Sequence, residues 1–176
     1  MDTLLQNKRN SSTTNSHAKD LIIIAPSYGD NNLLETCGIE LVDILLKSDF
    51  RVMVRPHLRT LRDSTELIDS IKKKFEKNPD FVFETGVIKF DSLNNSVCMI
   101  SDWSGISLEY AFTFERPVIF IDVPKKILNP NWKDITLEPI ETSIRDQIGH
   151  VVSPNNLQEI LELIRILGKN TQNISK

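Results

Sequence analysis

Five residues constrain this chain most: Leu21-Ile22-Ile23-Ile24-Ala25, an unbroken apolar run stopped by Pro26. A strand with one wet face alternates apolar and polar side chains, so a run without alternation fits a strand covered on both faces. A sheet sandwiched between helix layers supplies that cover. Short runs of the same kind return at Arg51–Val54, Phe81–Phe83, Val97–Ile100 and Pro117–Ile121.

The stretches between them read as helices. Leu34, Cys37, Leu41 and Leu45 recur at helical spacing behind Asn31 and Asn32, which are capping residues. Leu67, Ile68, Ile71 and Phe75 form a second stripe, headed by Asp63 and Glu66 in the spacing of a capping box. Lys89–Asn94 has room for one helical turn, and Ser104 or Gly105 opens a helix to about Phe114. Ser153-Pro154 heads a last stripe, Leu157, Ile160, Leu161, Ile164 and Leu167, with Gly168 as its stop. Strands alternating with helices predict an α/β fold, a doubly wound parallel sheet of Rossmann-like type. The expected organisation is a polar leader at 1–20, one domain at 21–168 and a flexible tail at 169–176. The proline-bearing stretch Val123–Thr142 is expected to run over the surface.

Composition narrows the function. The 176 residues carry 21 Lys+Arg against 24 Asp+Glu, a net charge of −3, so nothing electrostatic favours nucleic acid as a partner. Cys37 and Cys98 stand alone without metal-ligand spacing, as buried thiols of a reducing compartment do. No apolar run approaches the ~20 residues of a membrane span, and the polar leader lacks a signal-peptide core. The expected location is cytoplasmic. No motif calls for a metal or a cofactor.

Ligands of open α/β sheets bind outside the carboxyl ends of the strands. Here those ends are Pro26–Asp30, Arg55–His57, Glu84–Gly86, Ser101–Ser107 and Asp122–Lys126, the polar pieces of an apolar scaffold. The densest is Ser101–Tyr110, SDWSGISLEY. A strand ends, a small-residue turn follows, and a helix begins with free N–H groups and a positive dipole end. Gly105 admits a phosphate to the backbone, and the Ser104 and Ser107 hydroxyls are available donors. Glu109, four residues on, shares the face and suits the two hydroxyls of a ribose. Helix capping by Ser104 and dipole pairing by Glu109 account for the same residues, and spacing alone leaves both readings open. His57 is the one histidine on this edge, with an imidazole suited to acid–base work, and Arg55 suits a phosphate; a plain strand exit is the other reading of that pair. Familiar alternatives fail. The first strand is followed by Ala-Pro-Ser-Tyr-Gly rather than G-x-G-x-x-G, no P-loop occurs, and Ser104 lies in D-W-S-G rather than G-x-S-x-G.

At these residues the chain resembles the CDP-glycerol glycerophosphotransferase family, the teichoic-acid primases and polymerases. Ser101–Ala111 followed by Arg116-Pro117 is similar to the family's T-D-Y-S-S-x-x-x-D-Y and R-P. Pro26-Ser27-Tyr28-Gly29-Asp30 is similar to its P-T-x-R-D, and Arg55-Pro56-His57 to its R-x-H. The resemblance spans roughly Leu21 to Leu167. It implies the C-terminal, donor-binding lobe of a two-lobed GT-B fold, with His57 as the catalytic-cleft histidine and Arg55 as a phosphate contact. Asp102, Ser104 and Gly105 would surround the donor's pyrophosphate and glycerol, and Glu109 would hold its ribose, with Ser27 and Ser107 as further substrate-binding residues. Gly105, Glu109 and Gly29 stand where the family has serine, aspartate and arginine. These departures leave glycerol phosphate, ribitol phosphate or a sugar open as the transferred group.

The family's other lobe carries a W-H-G-T segment with the expected general base, and nothing in this sequence matches it. The implied function is polyol-phosphate transfer from a CDP-activated donor to a lipid-linked or polymer hydroxyl, carried out as half of an enzyme. A separate N-terminal lobe chain or a homo-oligomer would complete the cleft. A lipid-linked acceptor would put the protein at the inner face of the plasma membrane, as a peripheral protein. Two alternatives stand beside it: a lobe of a nucleotide-sugar glycosyltransferase, and a non-catalytic nucleotide- or partner-binding module.

Overall fold

The computed structural model describes residues 19–86, 90–125, 131 and 138–174. The apolar runs become β1 (Leu21–Ile24), β2 (Arg51–Val54), β3 (Phe81–Phe83), β4 (Ser96–Ser101) and β5 (Val118–Ile121), joined by β6 (Gly149–Val152). All pairings are parallel, in the order β3-β2-β1-β4-β5-β6. The helices are α1 (Ile39–Lys47, entered through a π-helical turn at Leu34–Gly38), α2 (Leu58–Asp63), α3 (Thr65–Phe75), α4 (Phe90–Asn95), α5 (Ile106–Phe114), α6 (Ile140–Ser143), α7 (Arg145–Ile148) and α8 (Glu159–Ile174).

The alternation of side chains along each strand divides the core into two layers. Ile22, Ile24, Val52, Val54, Ile100, Ile119 and Ile121 face one side, under Leu41 and Leu45 of α1, Ile71 and Phe75 of α3, and Ile160 and Ile164 of α8. Ile23, Met53, Met99, Val118 and Phe120 face the other, under Leu93 of α4 and Tyr110, Ala111 and Phe114 of α5. Each fully buried Ile, Leu or Phe contributes about 1.5–3 kcal/mol. The doubly wound sheet expected from the apolar runs is therefore present, covered on both faces. Cys37 and Cys98 are free and buried, and burial pushes both thiols up to about 12.

Several local expectations are corrected. Asp63 does not head α3: it is the last residue of α2, with its carboxylate 2.6 Å from Arg62 Nε, and Ser64 takes the cap position. The reason lies upstream, where His57 caps a short helix that uses up the intervening residues. β6 is an edge strand that the apolar pattern missed, because Gly149 and the exposed His150 and Val151 break it. Gly149 is required there, since a Cβ would fall 1.8 Å from the Val118 carbonyl oxygen. The last helix begins at Glu159, after a turn at Pro154-Asn155, and continues through Gly168 to Ile174. Gly168 supplies no left-handed stop, because the single glycine of positive φ among the described residues is Gly29. The expected leader lies mostly, and the turn start at Lys89 wholly, outside the described residues; of the 123–142 stretch, residues 126–130 and 132–137 lie outside them. No helix among the described residues is long and apolar enough to cross a membrane.

Candidate functional site

Strand order reverses between β1 and β4, and the crevice of an open sheet lies at such a switch, outside the carboxyl ends. Ile24 pairs with both Val54 and Ile100. The next residues, Ala25, Arg55 and Ser101, therefore leave the sheet side by side and bring the three sequence-predicted segments to one edge.

The segments after β1 and β4 are joined directly. Ser101 donates its hydroxyl to the Ala25 carbonyl at 2.7 Å. Asp102 is 1% exposed, and its carboxylate accepts from the Ser27 N–H at 2.6 Å and the Leu33 N–H at 2.8 Å. Both oxygens are thus engaged with backbone 69 and 75 residues away in sequence. Ser27, also buried, meets Asp102 through its backbone.

Two helices begin at this switch. The one after β1 is closed at its start. Asn32 accepts from the Leu34 N–H at 2.8 Å and donates its side-chain amide to the Gly29 carbonyl at 2.7 Å, across a turn with Gly29 and Asn31 at positive φ. Asp102 takes the Leu33 N–H, and Glu35 takes that of Asn31 at 2.8 Å. The start of α5 is open. Gly105 occupies the cap position and no side chain caps the helix. Among the described residues none accepts from the N–H groups of Ser104, Gly105 or Ile106. The first turn is tightened by Ser107 N–H to the Ser104 carbonyl and Leu108 N–H to the Gly105 carbonyl, each at 3.1 Å. Ser107 is buried and donates its hydroxyl to the Ser104 carbonyl at 2.7 Å, so that hydroxyl serves the turn. Gly105 and Glu109 are exposed, and a Cβ at Gly105 would meet nothing within 4 Å.

The segment after β2 lies beside these two. Arg55 donates its N–H to the Ile24 carbonyl at 2.9 Å, and its side-chain Nε is buried with no partner among the described residues. His57 is exposed and caps α2, its Nδ1 accepting from the Arg59 N–H at 3.0 Å. An imidazole that accepts at Nδ1 carries its neutral-form proton on Nε2. The imidazole leans on Tyr28, 4.6 Å between centroids, and the Arg59 guanidinium sits 4.4 Å from the Tyr28 ring centroid.

Sequence reasoning missed the residue that underlies the β4 turn, Arg145 at the start of α7. It is 5% exposed, and its guanidinium lies 4.0 Å from the Trp103 ring centroid and 4.9 Å from that of Phe120. A lone arginine opening a four-residue helix has no periodic signal, so no local pattern marks it. A cavity of about 470 Å³, lined by Glu115, Arg116, Pro117, Asp146 and His150 among others, opens at the amino ends of β5 and β6. It is at the opposite end of the sheet and has no part in the crevice.

With the geometry in view, likenesses to solved structures define the fold. E. coli ADP-heptose lipopolysaccharide heptosyltransferase II matches with a TM-score of 0.57 at 13% identity, over 98% of this chain and 53% of that one. The Methanocaldococcus jannaschii UDP-GlcNAc 2-epimerase, solved with UDP-GlcNAc and UDP, matches with a TM-score of 0.56 at 15% identity, over 96% of this chain and 42% of that one. The C-terminal CMP-Kdo binding domain of WaaA from Acinetobacter baumannii matches with a TM-score of 0.53 at 9% identity, over 95% of this chain and 90% of that domain. This chain has the fold of one lobe of the GT-B type, and it spans about half the length of the first two proteins. No protein-family model and no curated protein sequence matches it.

Proposed function

We propose that this chain is the donor-binding lobe of a transferase that uses a nucleotide-activated donor. The observation that carries the reading is the open start of α5 at the switch in strand order, with Ser104, Gly105 and Ile106 offering unclaimed N–H groups. An anionic diphosphate is the ligand such a start suits best. Glu109, exposed one turn along the same helix, is assigned to the ribose hydroxyls. Of the two residues one strand beyond β1, Arg55 is assigned to the phosphates and His57 to the catalytic cleft. Asp102 and Ser27 shape the site from beneath: their bond to each other holds the two loops, and Ser107 holds the turn.

The favoured reaction is transfer of polyol phosphate from a CDP-activated donor, on the likeness of SDWSGISLEY and Arg55-Pro56-His57 to the CDP-glycerol glycerophosphotransferases. An acceptor hydroxyl oxygen attacks the β-phosphorus, the bond from that phosphorus to the bridging oxygen breaks, and CMP leaves. The hydroxyl proton passes to a base supplied by a second lobe, from a separate chain or a second copy of this one. A lipid-linked acceptor would bring the assembly to the inner face of the membrane as a peripheral protein. A nucleotide-sugar donor is the second reading, favoured by the likeness to a heptosyltransferase and a CMP-Kdo binding domain.

Calorimetric titration with CDP-glycerol, CDP-ribitol and a UDP-sugar separates the readings. Tightest binding of a CDP-polyol supports the first and tightest binding of the UDP-sugar the second. Absence of binding by all three overturns the nucleotide reading.

A further inference from the structure

Arg145 is a buried cation that its neighbours do not fully satisfy. Its Nη1 lies 3.3 Å from the Asp122 carboxylate, which is itself 60% exposed, and its Nη2 donates to the Ile121 carbonyl at 3.4 Å. Both contacts are long for charge-assisted hydrogen bonds. Its Nε is buried with no partner among the described residues. Burial pulls its pKa down, opposed by Asp122 and more weakly by Asp102 and Asp146. A surface salt bridge does not require this arrangement, and an apolar side chain would fill the space at less cost in desolvation.

What the guanidinium does touch is the turn that carries the open helix start. It stacks on Trp103, one residue after Asp102 and two before Gly105. Trp103 in turn donates Nε1–H to the Val123 carbonyl at 2.9 Å, and the Lys125 ammonium lies 5.7 Å from its ring centroid. The turn after β4 is thereby pinned to the exit of β5 by a cation and a hydrogen bond. Its poorly neutralised positive charge sits against the same turn whose N–H groups carry the positive end of the helix dipole.

We propose that Arg145 is a positioning residue of this site: stacked on Trp103, it fixes the turn that presents the open start of α5 and adds positive potential for a bound diphosphate. This rests on the reading of α5 as the donor site. It extends that reading to a residue of α7, which acts through Trp103 and the field.

The test uses Arg145→Met and Arg145→Lys in the full chain, with CDP and inorganic pyrophosphate as probes in calorimetry and urea unfolding for stability. Arg145→Met is expected to be as stable as the parent or more so. Its affinity for both anions is expected to fall about tenfold or more, with Arg145→Lys in between. Loss of binding without loss of stability is the signature of positioning, since a merely structural arginine would move both together. Trp103 emission in a Trp132→Phe background is expected to shift in Arg145→Met, reporting the lost stack. If the parent binds CDP and both variants bind it equally well, Arg145 has no such role while the donor reading stands. Binding loss matched by destabilisation overturns the proposal in favour of a structural role. If the parent binds pyrophosphate as tightly as CDP, and Arg145→Met loses it, the nucleotide reading fails and Arg145 positions a site for a diphosphate alone. Absence of binding to either probe overturns both.

Discussion

The two helices that begin at the switch in strand order are built oppositely. The start after β1, the customary phosphate site of a dinucleotide fold, is closed by Asn32, Glu35 and Asp102. The start after β4 has only Gly105 at its cap, and its first N–H groups are unclaimed among the described residues. One residue links the two: Asp102 leads into the open start and closes the other one. The difference teaches that a helix N-terminus is an anion site only where the chain declines to cap it. On the proposed reading, this lobe takes its phosphates after β4 rather than after β1.

The largest expected effect comes from breaking that link. Asp102→Ala strands two buried N–H groups, those of Ser27 and Leu33, and is expected to cost about 2–5 kcal/mol in urea unfolding. Asp102→Asn keeps one acceptor and should cost less. Next is the open start itself: Glu109→Ala, at an exposed position, is expected to leave stability within about 0.5 kcal/mol of the parent. Nucleotide affinity should fall roughly tenfold by calorimetry, an amount near 1.4 kcal/mol. Asn32→Ala reverses the pattern, removing the cap of the closed start at a cost of about 1 kcal/mol while nucleotide affinity stays unchanged.

The smallest effect probes how firmly the closed start holds. Cys37 lies in its π-helical turn, Sγ donating to the Leu33 carbonyl at 3.6 Å, and burial pushes its thiol up to about 12. An unfolded thiol ionises near 8.5. The folded state therefore holds this proton while the unfolded chain releases it, so the thiol's stabilising contribution is complete below about pH 8 and shrinks as pH rises through the unfolded value. Cys37 is 8% exposed, so its reaction with a disulfide reagent at pH 8 should be slow in the folded chain and rise sharply on unfolding in urea. Reaction of the folded chain at the rate of the unfolded thiol would mean that the closed start opens on its own.

Much of this was legible in the sequence, and the reason is burial. β1, β2, β4 and β5 are covered on both faces, so their short apolar runs read as buried strands, and the polar segments after them come together at one edge of the sheet. The helix at Ser104 was legible because small residues directly follow a strand. What stayed hidden was long-range. Nothing near Asp102 says that its carboxylate serves Ser27 and Leu33 rather than a ligand, and nothing near Arg145 places it under Trp103. β6 escaped because an edge strand with Gly149 and a half-exposed face has no unbroken apolar run to reveal it.

The most direct test is amide NMR of the 15N-labelled chain during titration with CDP. The open-start reading expects the largest shifts at Ser104, Gly105 and Ile106, with Leu33, Leu34 and Glu35 nearly still. Larger shifts at the β1 helix start, or none at either, would contradict it.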